Sequence, residues 1–123
     1  MIVDTSALLA VLFHEEAGPW VKDQMLENAF SLKMSTVNLA ETLILLQSRQ
    51  PHLYEDIREQ VISSSIRFIA PTVSQAKIAA ESRMIFPINL GDCFAYALAK
   101  EEQLPILTLD MDFKKTDLRV IMP

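Results

Sequence analysis

The sequence predicts an α/β protein, a three-layer fold with a mostly parallel, doubly wound sheet of four to five strands flanked by helices. Three observations carry that expectation. Short, largely apolar runs recur at residues 1–3, 30–34, 66–70, 105–109 and 118–122, and stretches with helical periodicity stand between most of them. The connections are long enough for right-handed crossovers between parallel strands. Finally, acids follow the first and fourth runs at once, where open α/β sheets place their ligands.

Met1, Ile2 and Val3 suit a strand buried on both faces, and Asp4 sits at its carboxyl end. Asp4 or Ser6 can equally cap the helix that begins near Ala7, since both residue types accept backbone N–H bonds. Residues 7–12 are apolar and free of helix breakers, and a second helix is expected over residues 19–29, with Pro19 suited to its first turn. His14, between the two, has no partner at ligand spacing and reads as a solvated linker residue.

Residues 30–34 are a candidate strand, and Ser35-Thr36 supplies a cap for a helix over residues 37–48. Glu41 lies next to the apolar stripe of that helix, where a carboxylate is costly unless something pairs with it or it turns to the rim. Gln50-Pro51-His52 breaks the helix. Leu53, Ile57 and Val61 then mark another, so residues 43–62 read as a helical hairpin. A third strand is expected at residues 66–70. The helix after Pro71-Thr72 carries Val73, Ala76, Ala79 and Ala80, small enough to lie close against a sheet.

Residues 86–90 link to a helix opened by Gly91-Asp92, in which Asp92, Ala95, Tyr96 and Ala99 share a face. An aspartate in a first turn is favoured by the helix dipole whatever its role. Cys93 and Tyr96 read as core. Residues 105–109 form the fourth strand with Asp110-Met111-Asp112 at its carboxyl end, and residues 118–122 close as an edge strand.

Composition narrows the function. A chain of 123 residues suggests one domain, residues 1–123, and its single cysteine excludes an internal disulfide and fits a reducing compartment. The first residues lack the basic and apolar regions of a signal peptide, and no apolar run approaches the ~20 residues needed to cross a bilayer, so a cytoplasmic, membrane-free protein is expected. A net charge of −5 argues against a nucleic-acid binder that works through a wide basic face. It does not argue against one whose acids hold divalent ions, because about two such ions bring the total near neutrality and themselves face phosphate.

Asp4, Glu41, Asp92 and Asp110 or Asp112 thus fall at strand ends or on helices leaving the sheet. Hard oxygen donors of this kind suit Mg²⁺ or Mn²⁺, and a two-metal arrangement activates a water at a phosphodiester. The chain has no glycine-rich phosphate loop, no plausible Ser/His/Asp order and no zinc spacing.

Four stretches together resemble the PIN domain ribonucleases, in particular the VapC-type toxins of bacterial toxin–antitoxin pairs. They are Met1-Ile-Val-Asp-Thr-Ser6, the helix bearing Glu41, Leu90-Gly-Asp-Cys-Phe-Ala-Tyr-Ala-Leu-Ala99, and Pro105-Ile-Leu-Thr-Leu-Asp110 with Asp112-Phe113. The resemblance implies a PIN-like fold, with Asp4, Glu41 and Asp92 as metal ligands and Ser6 and Thr108 as hydroxyls beside them. It also implies Mg²⁺- or Mn²⁺-dependent RNA cleavage, a homodimer, and an antitoxin that docks on the helical hairpin. Many toxin relatives carry a glycine and two successive acids before the phenylalanine. Here Met111 separates Asp110 from Asp112, so either can be the fourth acid, and the buried character of residues 105–109 favours Asp110.

The expected function is a metal-dependent endoribonuclease, the toxin of such a pair, that cleaves RNA with a metal-activated water. The alternative is a PIN-like module that binds RNA or protein without cleaving. A phosphorelay receiver domain fits less well, because Asp4 stands alone after the first strand and the late lysines fall in the Lys114-Lys115 turn.

Overall fold

The computed structural model describes all 123 residues. Five short strands, β1 (Ile2–Val3), β2 (Lys33–Ser35), β3 (Arg67–Ile69), β4 (Ile106–Leu107) and β5 (Val120–Ile121), form one parallel sheet in the order β3-β2-β1-β4-β5. Between β1 and β4 the order of winding reverses. That reversal opens a crevice at the carboxyl ends of these two strands, the position where doubly wound sheets bind ligands.

Side chains alternate across a strand, and this divides the core in two. Val3 and Leu107 face a cluster with Ala7, Leu8 and Ala10 of α1 (Thr5–Leu12), Val21 of α2 (Gly18–Glu27) and Val61 of α4 (Tyr54–Ile62). Ile2 and Ile106 face the other way, onto Ala95, Leu98 and Ala99 of α6 (Leu90–Glu102), with Phe113 beneath. Helices on both faces give the three layers. The central strands β1 and β4 are apolar without a break because both of their faces are covered. Gly18 permits the tight α1–α2 corner, since a Cβ there would lie 2.6 Å from the Ala10 carbonyl oxygen.

The remaining helices are α3 (Thr36–Arg49) and α5 (Val73–Ile85), and a 3₁₀ turn spans Met111–Lys115. Side chains start most of them, as expected: Asp4 caps α1, Ser35 caps α3 and Thr72 caps α5, each accepting a backbone N–H. No helix is long and apolar enough to cross a membrane.

Three expectations need correction. The strands are shorter than their apolar runs: Phe30 is fully exposed before β2, and the ladder of the 105–109 run is confined to Ile106–Leu107. The edge strand is likewise only Val120–Ile121. The third concerns α5, whose Val73, Ala76 and Ala80 are exposed. This helix packs on α6 through Gln75, Ala79 and Ser82, which are buried, and does not lie on the sheet. Ser82 can be buried because its hydroxyl donates to the Ala79 carbonyl at 2.8 Å, and the Gln75 amide donates to Glu101 at 3.1 Å.

Candidate active site

Asp4 leaves β1 with extended backbone and is 2% exposed. Its carboxylate is held from three sides. Oδ1 accepts the Ser6 hydroxyl at 2.8 Å and the Ala7 N–H at 3.0 Å, while Oδ2 accepts the Thr108 hydroxyl at 2.6 Å. Capping and participation in an acid cluster are therefore compatible, because the cap uses one oxygen. Ser6 and Thr108 tie the two strand ends together: Ser6 Oγ accepts Leu109 N–H at 3.0 Å and Thr108 Oγ1 accepts Asp110 N–H at 2.9 Å. Burial outweighs these bonds, and the negative charge of Asp110 adds to it, so the Asp4 carboxyl is raised to about 6.

Asp92 is the third residue of α6 and belongs to a reciprocal cap. The Asn89 side chain accepts Asp92 N–H at 2.9 Å, and Asp92 Oδ2 accepts Asn89 N–H at 3.3 Å. Its carboxyl is raised to about 7, first by burial and then by the charges of Asp110, Asp4 and Glu41 around it. Those three acids are the ones read from the sequence with it.

Glu41 does not turn to the rim. Its Oε1 accepts the Thr5 hydroxyl at 2.9 Å and the Asn38 amide at 2.9 Å, one turn back on α3. The carboxylate lies against the Cα of Gly91, where any Cβ would collide with it. Asn38 is 1% exposed and also donates to the Gly91 carbonyl at 3.1 Å, so it bridges α3 to the first turn of α6. Its own Oδ1 is buried without a partner.

Asp110 caps the 3₁₀ turn, and its Oδ1 accepts Asp112 N–H at 2.9 Å. Asp110 is thus the acid that bonds the local backbone. Asp112 instead lies 3.6 Å from Lys115. Both line an open cleft of about 330 Å³ with Asp92, Asn89 and Arg83. His14 and His52 are exposed in loops away from it.

The donor set fits a hard divalent cation. It is made of carboxylates, two of which are held partly protonated near neutrality by burial and like charge, and Gly91 leaves the space that the Glu41 carboxylate fills. As the chain stands, no three ligating side chains are gathered into a group that could hold an ion. Thr5, Asn38, Asn89 and Gly91 were not singled out as participants by the sequence reading. Asn38 and Asn89 had usable signals, the first a polar residue three positions before Glu41 on the same helix face, the second a favoured capping residue three positions before Asp92.

The PIN domain model matches residues 1–118. Ribonuclease VapC42 of Mycobacterium tuberculosis is 32% identical over 128 residues, covering 97% of each chain. Among solved structures, the M. tuberculosis VapC20 toxin, described as cleaving the sarcin-ricin loop, superposes with a TM-score of 0.84 at 20% identity, over 99% of this chain and 98% of that one. A toxin–antitoxin complex from Klebsiella pneumoniae superposes with a TM-score of 0.81 at 19% identity, over 99% and 96%.

Proposed function

The chain belongs to the PIN domain family, and from that premise we propose that residues 1–123 form one PIN domain acting in the cytoplasm as a metal-dependent endoribonuclease, the toxin of a toxin–antitoxin pair. The observation that carries this reading is Asp92: a half-buried carboxyl raised to about 7, with Asp110, Asp4 and Glu41 as the charges that raise it. Acids placed so that burial and neighbouring charge make Asp92 and Asp4 harder to ionise are poorly suited to stability alone, and well suited to a divalent cation.

In this reading Asp4, Glu41, Asp92 and Asp110 hold Mg²⁺ or Mn²⁺. When bound, such ions activate a water and neutralise charge on the phosphodiester oxygens. The chain's own part is positional. Ser6, Ala7 and Thr108 fix both oxygens of Asp4, and Thr5 and Asn38 hold Oε1 of Glu41 with the carboxylate against Gly91. Asn89 orients Asp92 through the reciprocal cap. Asp112, salt-bridged to Lys115, plays a supporting part at the rim.

The similarity to a solved toxin–antitoxin complex supports an antitoxin partner. An apolar groove of about 260 Å³ between α1, α2 and α4, lined by Leu8, Leu12, Met25, Leu26 and Ile66 among others, is the surface we assign to it. It reaches the α3–α4 hairpin, where Ile44, Leu53 and Ile62 are exposed. A homodimer is the proposed assembly.

A second reading, a module that binds without cleaving, is favoured by the ungathered state of the acids. One assay separates the two. Mixed RNAs incubated with Mn²⁺ are expected to be cut by the native chain and left intact by Asp4→Asn, which keeps the Ala7 cap. Cleavage that survives in Asp4→Asn, or a native protein that binds Mn²⁺ and RNA without turnover, overturns the ribonuclease reading.

A further inference from the structure

The cleft beside the acids contains one cation. Asn89, Asp92, Asp110 and Asp112 supply its other polar side chains, and Arg83, from the last turn of α5, lines it with them. Three aspartates share that cleft with a guanidinium, yet Arg83 forms no ion pair with any of them and no hydrogen bond to the carbonyls ending α5. The ion pairs of the chain are Lys33 with Glu102, Arg58 with Glu59, Lys100 with Asp117, and Lys115 with Asp112. Lys115, the nearest competitor on the 3₁₀ turn, is thus engaged, and Lys114 is exposed on that turn without lining the cleft.

An arginine in the last turn of a helix is favoured by the dipole, which accounts for its tolerance there. It does not account for a side chain lining an acidic cleft unpaired. Asp92 and Asp110, two of the acids assigned to the metal, line this cleft, so a polyanion entering it meets them and Arg83 together. A fork of N–H donors matched to a phosphate suits that position, and the chain's overall negative charge makes each free cation near the acids count for more.

We propose that Arg83 is a substrate-positioning residue, its guanidinium taking a non-bridging phosphate oxygen of single-stranded RNA next to the bond on which the carboxylates act. This rests on the ribonuclease reading above. It adds a chain-encoded anchor that sets the register of the strand in the cleft.

The test is equilibrium binding of a fluorescent, mixed-sequence single-stranded RNA of about 12 nucleotides in Ca²⁺, across a salt series, for the native chain, Arg83→Ala, Arg83→Lys and Lys114→Ala. Arg83→Ala should weaken binding about tenfold and reduce the slope of log K against log salt by about 0.7, the increment for one phosphate contact on a single strand. Arg83→Lys should restore the slope but less of the affinity, because the fork is lost. Lys114→Ala should match the native chain, and Mn²⁺ should raise the melting temperature of all four equally. If Arg83→Ala keeps the native affinity and slope while the native chain cleaves RNA, the proposal is overturned and the ribonuclease reading stands. If RNA binding depends on Arg83 but no cleavage occurs, the anchor stands and the ribonuclease reading falls.

Discussion

At the scale of single residues, the fourth acid is the sharpest question. Asp110 acts on Asp4 and Asp92 through its charge, whereas Asp112 is drawn outward to Lys115 at 3.6 Å. Asp110 uses Oδ1 to accept Asp112 N–H, a bond that asparagine can also accept, so Asp110→Asn removes charge and leaves the turn. We expect this change to weaken Mn²⁺ binding about tenfold, or ~1.4 kcal/mol, and Asp112→Asn to change it far less. Calorimetric titration of both variants checks this; the reverse ranking would make Asp112 the ligand. The positions of the acids were legible because Asp4, Asp92 and Asp110 sit at a strand end or helix start, and Glu41 beside an apolar helical stripe, places that hydrophobic pattern can locate. Of their hydrogen-bond partners, Ser6 and Thr108 came with the family resemblance, while Thr5 did not. Thr5 and Gly91 matter through contacts between elements distant in sequence, such as Thr5 with Glu41, and a linear pattern carries no such distances.

At the scale of elements, the contact between α3 and α6 decides where Glu41 points. Gly91 is buried in the first turn of α6 with the Glu41 carboxylate on its Cα, and the Asn38 amide spans both helices. In Gly91→Ala the new methyl displaces the far end of a flexible side chain, while the helix gains up to ~1 kcal/mol of propensity. The expected outcome is a folded protein with a melting temperature near or above native and RNA cleavage reduced at least roughly tenfold, since a misplacement of ~1 Å can cost a hundredfold. Circular dichroism melts and single-turnover cleavage measure the two effects. Full activity in Gly91→Ala would show that Glu41 is free to move without consequence. The order of elements was readable from the alternation of apolar runs and helical stretches, and so was the hairpin at Gln50-Pro51. The packing of α5 was not. A stripe of small residues looks the same whether the opposing surface is a sheet, a helix or solvent, and here buried Gln75 and Ser82 find partners on α6 or on α5 itself.

At the scale of the whole molecule, the sheet's reversal between β1 and β4 concentrates negative charge, and this sets how stability depends on pH. Asp4 and Asp92 are raised from ordinary aspartate values to about 6 and about 7, so the folded chain holds their protons more tightly than the unfolded chain does. Stability from these groups is fully present below the unfolded aspartate value of 3.8 and is lost as pH rises through about 6 to 7. Asp4, fully buried, contributes on the order of 3 kcal/mol at ~1.4 kcal/mol per pK unit, and half-exposed Asp92 adds less. Asp117, held low by Lys100 and then by the Tyr96 hydroxyl, acts with the opposite sign but only on acidification below 3.8. The Met1 amine, lowered by burial and by Lys33, opposes the trend close to its ordinary value of 8.0. The metal-free protein should therefore lose several degrees of melting temperature between about pH 5 and pH 7. A divalent ion binds the deprotonated acids, so millimolar Mn²⁺ should restore more stability at neutral than at acidic pH, by ~2.7 kcal/mol when the ion stands at a hundred times its Kd. Thermal melts across pH, with and without Mn²⁺, measure both slopes. A metal-free melting temperature that rises steadily from pH 5 to pH 7, or a Mn²⁺ shift equal at both ends, would mean that Asp4 and Asp92 are not held protonated in the folded chain.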